Sequence, residues 1–418
     1  MANIRPFRAW RYNSILAENL EELTAPMSET VLQQKQASFY RTPYHYFHIS
    51  SPIDSPPFEN VQRRVQNWQL DKVILQDTLP AIYVYAQYFT LHREEKFCIR
   101  KGFICQVEAT DYDEKAVLPH ENTIAKAVEY RQNLLEHTRL QTLPTHGLYE
   151  DKDCLLEHYL AESLKYPLYE VRDKNDSVHQ LSVIQDRKVI EYFLQVIRDK
   201  QIIIADGHHR YESSVSYRKQ CQTQNPAHIG EEPYNFHLMW LTNTAEGDAG
   251  ILPTHRIAHS LTDFSESDLL AKLRQYFTLE EVKREEDLGL APCENLWTFM
   301  LILREKNFLL RLRPEVFVEF KGDLPEAVKR LDLSVLHHFL FEKCIGLSGQ
   351  AQFQHLDYSQ YVNQCYKSVA EGQAQFAVLT RRITFEEIQA VCQSDQTMPA
   401  KATYFFPKVL GGLVFSSL

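Results

Sequence analysis

The sequence predicts an α/β (α+β) protein in which mixed sheets are flanked by helices and an additional α/β subdomain follows the core. Three observations lead there. In Gln201-Ile-Ile-Ile-Ala-Asp-Gly-His-His-Arg210, a short apolar, β-branched run breaks at Gly207 and is followed by residues able to open a helix. Residues 186–200 carry Val189, Ile190, Phe193, Leu194 and Ile197 at helical spacing and lead directly into that run, giving helix, strand, glycine turn, helix. Residues 81–89, 96–107 and 234–242 are apolar runs of strand length, the first two expected as an antiparallel pair and the third as an interior strand.

The remaining elements follow in order. Pro43-Tyr-His-Tyr-Phe-His-Ile49 alternates well enough to be a strand, on which His45 and His48 would face opposite sides. Pro52-Ile-Asp-Ser-Pro-Pro57 is a loop, and a helix with Val61, Val65 and Trp68 on one face comes after it. Leu118-Pro-His-Glu-Asn-Thr123 precedes a helix striped by Ile124, Val128, Leu134, Leu135 and Leu140. Ile251-Leu-Pro-Thr-His-Arg-Ile257 reads as an edge or bulged strand because Pro253 cannot donate to a ladder. Residues 261–285 form a helix-and-strand unit, 297–303 and 308–312 two strands, and 376–379 a short one. Asp332 opens a helix carrying Val335, Leu336, Phe339 and Leu340, while Thr384-Phe-Glu-Glu387 fits a capping box. The tail from Met398 to Leu413 is too apolar to be loose and is expected to dock.

With 418 residues and 44% apolar content, the chain can bury a large core. Lacking a linker, it is expected as one unit, 1–418, subdivided into an N-terminal sheet region (1–115), a core with the glycine turn (116–258) and a C-terminal α/β region (259–418) whose tail docks on the core. A net charge of −10 argues against nonspecific nucleic-acid binding. Eight scattered cysteines without a C-x-x-C pair suit reduced thiols, and no window has the length of a membrane span; a cytoplasmic protein is expected. The common nucleotide, dinucleotide, esterase and zinc-protease motifs are absent.

The chemistry concentrates at Asp206, Gly207, His208, His209 and Arg210. Where a strand hands over to a helix, free N–H groups and the helix dipole favour an anion, and Arg210 and the imidazoles add donors there. Asp206 could hold a metal ion, orient a histidine, or merely cap the helix. His120 and Glu121 enter a helix, where a carboxylate beside an imidazole is either a general base or metal ligand, or ordinary dipole compensation. His255, Arg256, Lys401 and Lys408 are lower-ranked substrate or phosphate contacts, with packing or solvation as the alternative.

Ile4-Arg-Pro-Phe-Arg8, Tyr44-His-Tyr-Phe-His-Ile49, His120-Glu121, Ala205-Asp-Gly-His-His-Arg210, Leu252-Pro-Thr-His-Arg256, Met398-Pro-Ala-Lys401 and Phe406-Pro-Lys408 together resemble the domain-of-unknown-function family 1015 from end to end. The chain departs from it at Ala25-Pro-Met-Ser28, where members have Pro-Pro-Tyr-Asp. The Asp206–Arg210 block is also similar to the phosphate-binding turn of the ParB/sulfiredoxin-like fold, which includes a free-serine kinase. The resemblance implies ATP or ADP as cosubstrate, and the first family's association with serine biosynthesis makes serine or phosphoserine the first substrate to try.

The resulting expectation is a phosphotransferase acting on a small hydroxylated metabolite with Mg²⁺. Gly207, His208, His209 and Arg210 would bind phosphates, Asp206 would serve as metal ligand or orienter, and Glu121, helped by His120, as base. Two alternatives stand beside it: a metal-dependent phosphohydrolase using Asp206, His208 and His209 as ligands, and a ParB-like nucleotide-gated DNA-binding switch.

Overall fold

The structure, a computed structural model, describes residues 1–27, 38–91, 96–246, 250–282, 296–320 and 323–418. Ser28, Cys293 and the end of the 261–285 segment lie outside the described residues. The chain divides into two compact units, Met1–Gly250 with Pro407–Leu418, and Ile251–Phe406. These bounds differ from divisions at 115 and 258, because strands from the first 115 residues share one sheet with the strand that ends at Asp206.

In the first unit the strands Ile4–Arg5 (β1), Ile82–Leu91 (β2), Lys96–Glu108 (β3), Val117–Leu118 (β4), Thr145–Tyr149 (β5), Tyr169–Arg172 (β6), Val178–Ile184 (β7), Ile202–Asp206 (β8) and Phe236–Asn243 (β9) form a mixed sheet. Its order is β6, β7, β2, β3, β9, β5, β8, β4, with β1 also paired to β3. β9 with β5 and β8 with β4 are parallel pairs, and the others are antiparallel. The helices Pro57–Leu70 (α1), Ala125–Thr138 (α2), Arg187–Arg198 (α3) and His208–Gln224 (α4) belong to the same unit.

Continuous apolar runs such as those of β2 and β9 arise when both faces of a sheet are covered, since alternate side chains point opposite ways. Tyr83, Tyr85, Leu238 and Trp240 pack into one core with the N-terminal segment and the tail. Ile82, Val84, Met239 and Leu241 pack into another with Phe193 and Ile197 of α3 and with Tyr211 and Val215 of α4. α3 is amphipathic as expected and is capped by Asp186, whose carboxylate accepts from the N–H groups of Lys188 and Val189.

Within the first unit the C-terminal stretch Pro407–Leu418 is held by pairings at three points. Leu410–Gly411 pairs with Ala25–Pro26, Phe415 bridges Trp10, and Ser416–Ser417 pairs with Leu140–Gln141. Leu140 is therefore a strand residue rather than the end of the α2 stripe, and Ile124 is exposed. The chain reverses out of α2 at Arg139, a left-handed C-cap.

Residues 43–49 are not a strand. Tyr44 has a positive φ of 61°, and Phe47–Ser50 makes a helical turn instead. His45 is buried, stacked on Phe39 at 4.7 Å, with a pKa pushed down to about 3 by burial and then by His48 and Lys174.

In the second unit, Ile251–Leu252 (β10) pairs with Tyr404–Phe405. A separate antiparallel sheet contains His255–Ala258 (β11), Phe277–Val282 (β12), Thr298–Ile302 (β13), Asn307–Leu312 (β14), Leu356–Ser359 (β15) and Phe376–Leu379 (β16) in the order β12, β14, β13, β16, β11, β15. The expected strand thus splits at Pro253, and its second half lies between two neighbours rather than at an edge. The capping box at Thr384 and Glu387 is formed. Among the described residues no helix is long and apolar enough to cross a membrane.

Candidate functional site

β8 ends at Asp206, and Gly207 turns the chain into α4 with φ +104° and ψ +29°. A side chain is strained in that conformation, and here there is no space for one: a Cβ on Gly207 would lie 2.5 Å from Nη2 of Arg210. Glycine therefore lets Arg210 fold back over the turn. Its Nη2 donates to Oδ2 of Asp206 at 2.9 Å, and its buried Nε has no hydrogen-bond partner among the described residues.

Oδ1 of Asp206 accepts from the ammonium of Lys408, delivered by the docked tail. The neighbouring tail carbonyls are anchored too: Pro407 accepts from Arg100 at 2.6 Å and Lys408 from Gln87 at 3.1 Å. Burial pushes the Asp206 carboxyl up, but Lys408 and then Arg210 outweigh it and hold the group well below the usual carboxylate range.

The two histidines of the turn face the loop 118–124. The backbone N–H of His120 donates to Nε2 of His208 at 3.3 Å, and that of Ile124 donates to Nε2 of His209 at 2.9 Å. His120 in turn donates from Nδ1 to the carbonyl of Ile204 at 2.6 Å, with its ring 4.6 Å from that of His208. Burial, followed for His208 by the neighbouring His120, lowers the pKa of both below the usual imidazole value. They are neutral near pH 7, so Arg210 and Lys408 supply positive charge at the turn that the imidazoles of His120 and His208 do not. Thr123 adds a bond of 2.5 Å to Glu212 of α4.

These contacts bring His120 to the turn, where the charges of Glu121, Asp206 and Lys408 all act on it. Glu121 is half-buried, beside His120 in the same loop. His255 and Arg256 are fully buried on β11 of the second unit. His255 accepts from the N–H of Thr380 at 3.2 Å, and Arg256 donates to the carbonyls of Thr254 and Lys401. Lys401 is exposed, with a positive φ of 57°.

Asp206, His208 and His209 each have a different partner, in the Lys408 ammonium, the His120 N–H and the Ile124 N–H. Among the described residues no group of three or more His, Cys, Asp or Glu is placed to hold a metal ion. The ligand set expected of a metal-dependent phosphohydrolase is therefore not assembled among them.

Sequence reasoning missed Arg131, Arg100 and His146. Arg131 on α2 donates to the carbonyl of Ser50 at 3.0 Å and meets Sδ of Met27 at 3.2 Å. Arg100 sits over Trp240 at 5.3 Å, and His146, paired with Asp206 in the sheet register, stacks on the same indole at 4.4 Å. A lone basic residue on a strand or helix carries no local signal, and these are assembled only by long-range pairing.

Among solved structures, the chain is similar to free serine kinase in complex with AMP, at 13% identity and a TM-score of 0.33, covering 69% of this chain and 83% of that one. A mutant of that kinase in complex with ADP is similar at 12% identity and a TM-score of 0.34, with the same coverage. C-terminally truncated SbnI from Staphylococcus aureus is similar at 12% identity and a TM-score of 0.35, covering 74% of this chain and 86% of that one. No curated protein matches the chain. Residues 4–334 match the family described as Protein of unknown function (DUF1015), and the chain belongs to that family.

Proposed function

We propose that the protein transfers a phosphoryl group between an adenine nucleotide and the hydroxyl of a small metabolite, with serine and phosphoserine as the leading pair. One observation carries the reading: a glycine-opened helix start is flanked by two cations, Arg210 and Lys408, that share a single carboxylate. That leaves one positive charge in excess beside the first N–H groups of a 17-residue helix, an arrangement complementary to phosphate. The nucleotide comes from the likeness of the Asp206–Arg210 turn to that of the ParB/sulfiredoxin-like fold, and the substrate pair from the family's association with serine biosynthesis.

In this reading the backbone at Gly207 and the start of α4, with Arg210 and Lys408, neutralise the phosphates. His208 and His209 hold the loop bearing Glu121 against the turn, which fixes its reach. The Glu121 carboxylate takes the hydroxyl proton as the acceptor oxygen bonds to phosphorus and the bond from phosphorus to the nucleotide's bridging oxygen breaks. Asp206 is the residue the sequence offers to Mg²⁺, but both its oxygens are already in ion pairs, so it does not fit as a direct ligand.

Phosphorus NMR on mixtures of serine with ATP, and of phosphoserine with ADP, should show phosphoryl exchange between nucleotide and amino acid. Glu121→Gln, which keeps the shape and loses the accepting charge, should lower kcat by about 10²–10⁴-fold with little change in nucleotide affinity. Absence of turnover across a panel of hydroxylated metabolites, or phosphate release that needs no nucleotide, rejects the reading.

A further inference from the structure

Arg131 has its charge in an unusual setting. Both of its hydrogen-bond acceptors among the described residues, the Ser50 carbonyl and the Met27 sulfur, are neutral, and a thioether is a weak acceptor. Its pKa is lowered by burial and next by Arg210, another cation. Arg131 and Arg210 line one cavity, with Gln141 and Ser213 as polar wall and Leu134 and Leu143 as apolar wall. Arg210 shares its carboxylate with Lys408, so the Asp206 charge is already divided between two cations. A guanidinium partly withdrawn from water beside another cation and neutral acceptors is held at a cost, and an anion entering the cavity relieves that cost for Arg131 and engages the Nε of Arg210, which has no hydrogen-bond partner among the described residues.

We propose that this cavity is the carboxylate subsite of the phosphoryl acceptor, with Arg131 as its anchor. The proposal rests on the phosphotransferase reading and narrows the substrate to a short-chain acid that carries a hydroxyl or its phosphate ester. The planar fork of arginine matches a carboxylate in two parallel bonds. The cavity volume of about 30 Å³ suits a single small polar group and excludes a nucleoside. Arg210 reaches both the cavity and the phosphate-favouring turn, so the two anionic ends of the ligand are separated by the span of one side chain. Only a compact molecule meets both.

The test compares L-phosphoserine with O-phosphoethanolamine, which keeps the phosphate and amine and lacks the carboxylate, by calorimetric titration, with ADP as a third ligand. The wild-type protein should bind phosphoserine about 10–100-fold more tightly than phosphoethanolamine. Arg131→Met should remove that preference, weaken phosphoserine by a similar factor, and leave ADP within about threefold. Arg131→Lys, which keeps the charge and loses the fork, should fall between; it decides the matter if circular dichroism shows Arg131→Met to be unfolded. Equal affinity of the wild type for the two esters overturns the proposal. So does a loss of ADP affinity as large as that for phosphoserine, which would make Arg131 a contact to nucleotide phosphate. Arg131-dependent phosphoserine binding without any phosphoryl exchange would keep the subsite and reject the phosphotransferase reading. Exchange that is indifferent to Arg131 would do the reverse.

Discussion

The ammonium of Lys408 lies against Oδ1 of Asp206, 202 residues earlier in the chain. The pair ties the C-terminal tail to the strand end of the turn, and with Arg210 it keeps Asp206 ionised. Asp206→Asn should therefore destabilise the protein by about 3 kcal/mol at neutral pH, the lower end for a broken buried pair because the side chain is 24% exposed. Since the folded pKa of Asp206 is depressed, its contribution is fully present above the ordinary carboxylate value of about 3.9 and is lost as pH falls toward the folded value. Denaturant titrations of wild type and variant should show a stability gap that is constant from pH 7 to 5 and narrows below about pH 4. A gap that widens on acidification would contradict this pairing.

Gly207→Ala tests whether the turn and Arg210 are one device. The new Cβ would meet the guanidinium, whereas the same substitution at Gly230, also at positive φ, meets nothing within 4 Å. Both variants should lose about 1–2 kcal/mol of stability from backbone strain. Only Gly207→Ala should also lose ADP affinity, by about tenfold or more, because Arg210 must move. Equal affinities in the two variants would show that Arg210 is not part of the nucleotide site.

A second pH effect belongs to Glu157, which with Glu246 approaches the ammonium of Lys101 at 3.3 and 2.9 Å. Burial, reinforced by Glu246, pushes the Glu157 carboxyl up to about 8. A raised folded pKa contributes stability that is fully present below the ordinary glutamate value of about 4.3 and is lost as pH rises through about 8. Glu157→Gln should match the wild type at pH 4 and exceed it at pH 9 by a few kcal/mol, at roughly 1.4 kcal/mol for each pH unit between the unfolded and folded pKa, seen as a higher midpoint in urea. A variant less stable than the wild type at pH 9 would mean that the Glu157 carboxyl is not raised in the folded protein.

What could be read along the chain was what short-range periodicity and turn chemistry encode. The β-branched run 202–204 before Gly207, the helical stripe of α3 and the Thr384 capping box each specify an element within a few residues, and each is present. The same local pattern misled at 43–49, where alternation over seven residues does not separate a strand from a turn of helix, and the positive φ of Tyr44 breaks the extended path.

The strand, glycine turn and helix start at Asp206–Arg210 were therefore legible from the sequence, because a glycine between a strand and a helix exposes the same N–H groups in any protein. The rest of the site depended on tertiary structure. Lys408 reaches Asp206 because the tail pairs with Ala25–Pro26 and Leu140–Gln141, and Arg131 and Arg210 line a cavity to which other elements contribute. Likewise, the neutrality of His208 and the burial of Arg256 follow from neighbours more than fifty residues away. Charge state and partner choice are set by desolvation and Coulomb terms, which depend on distance in space, and residue order alone does not specify that distance.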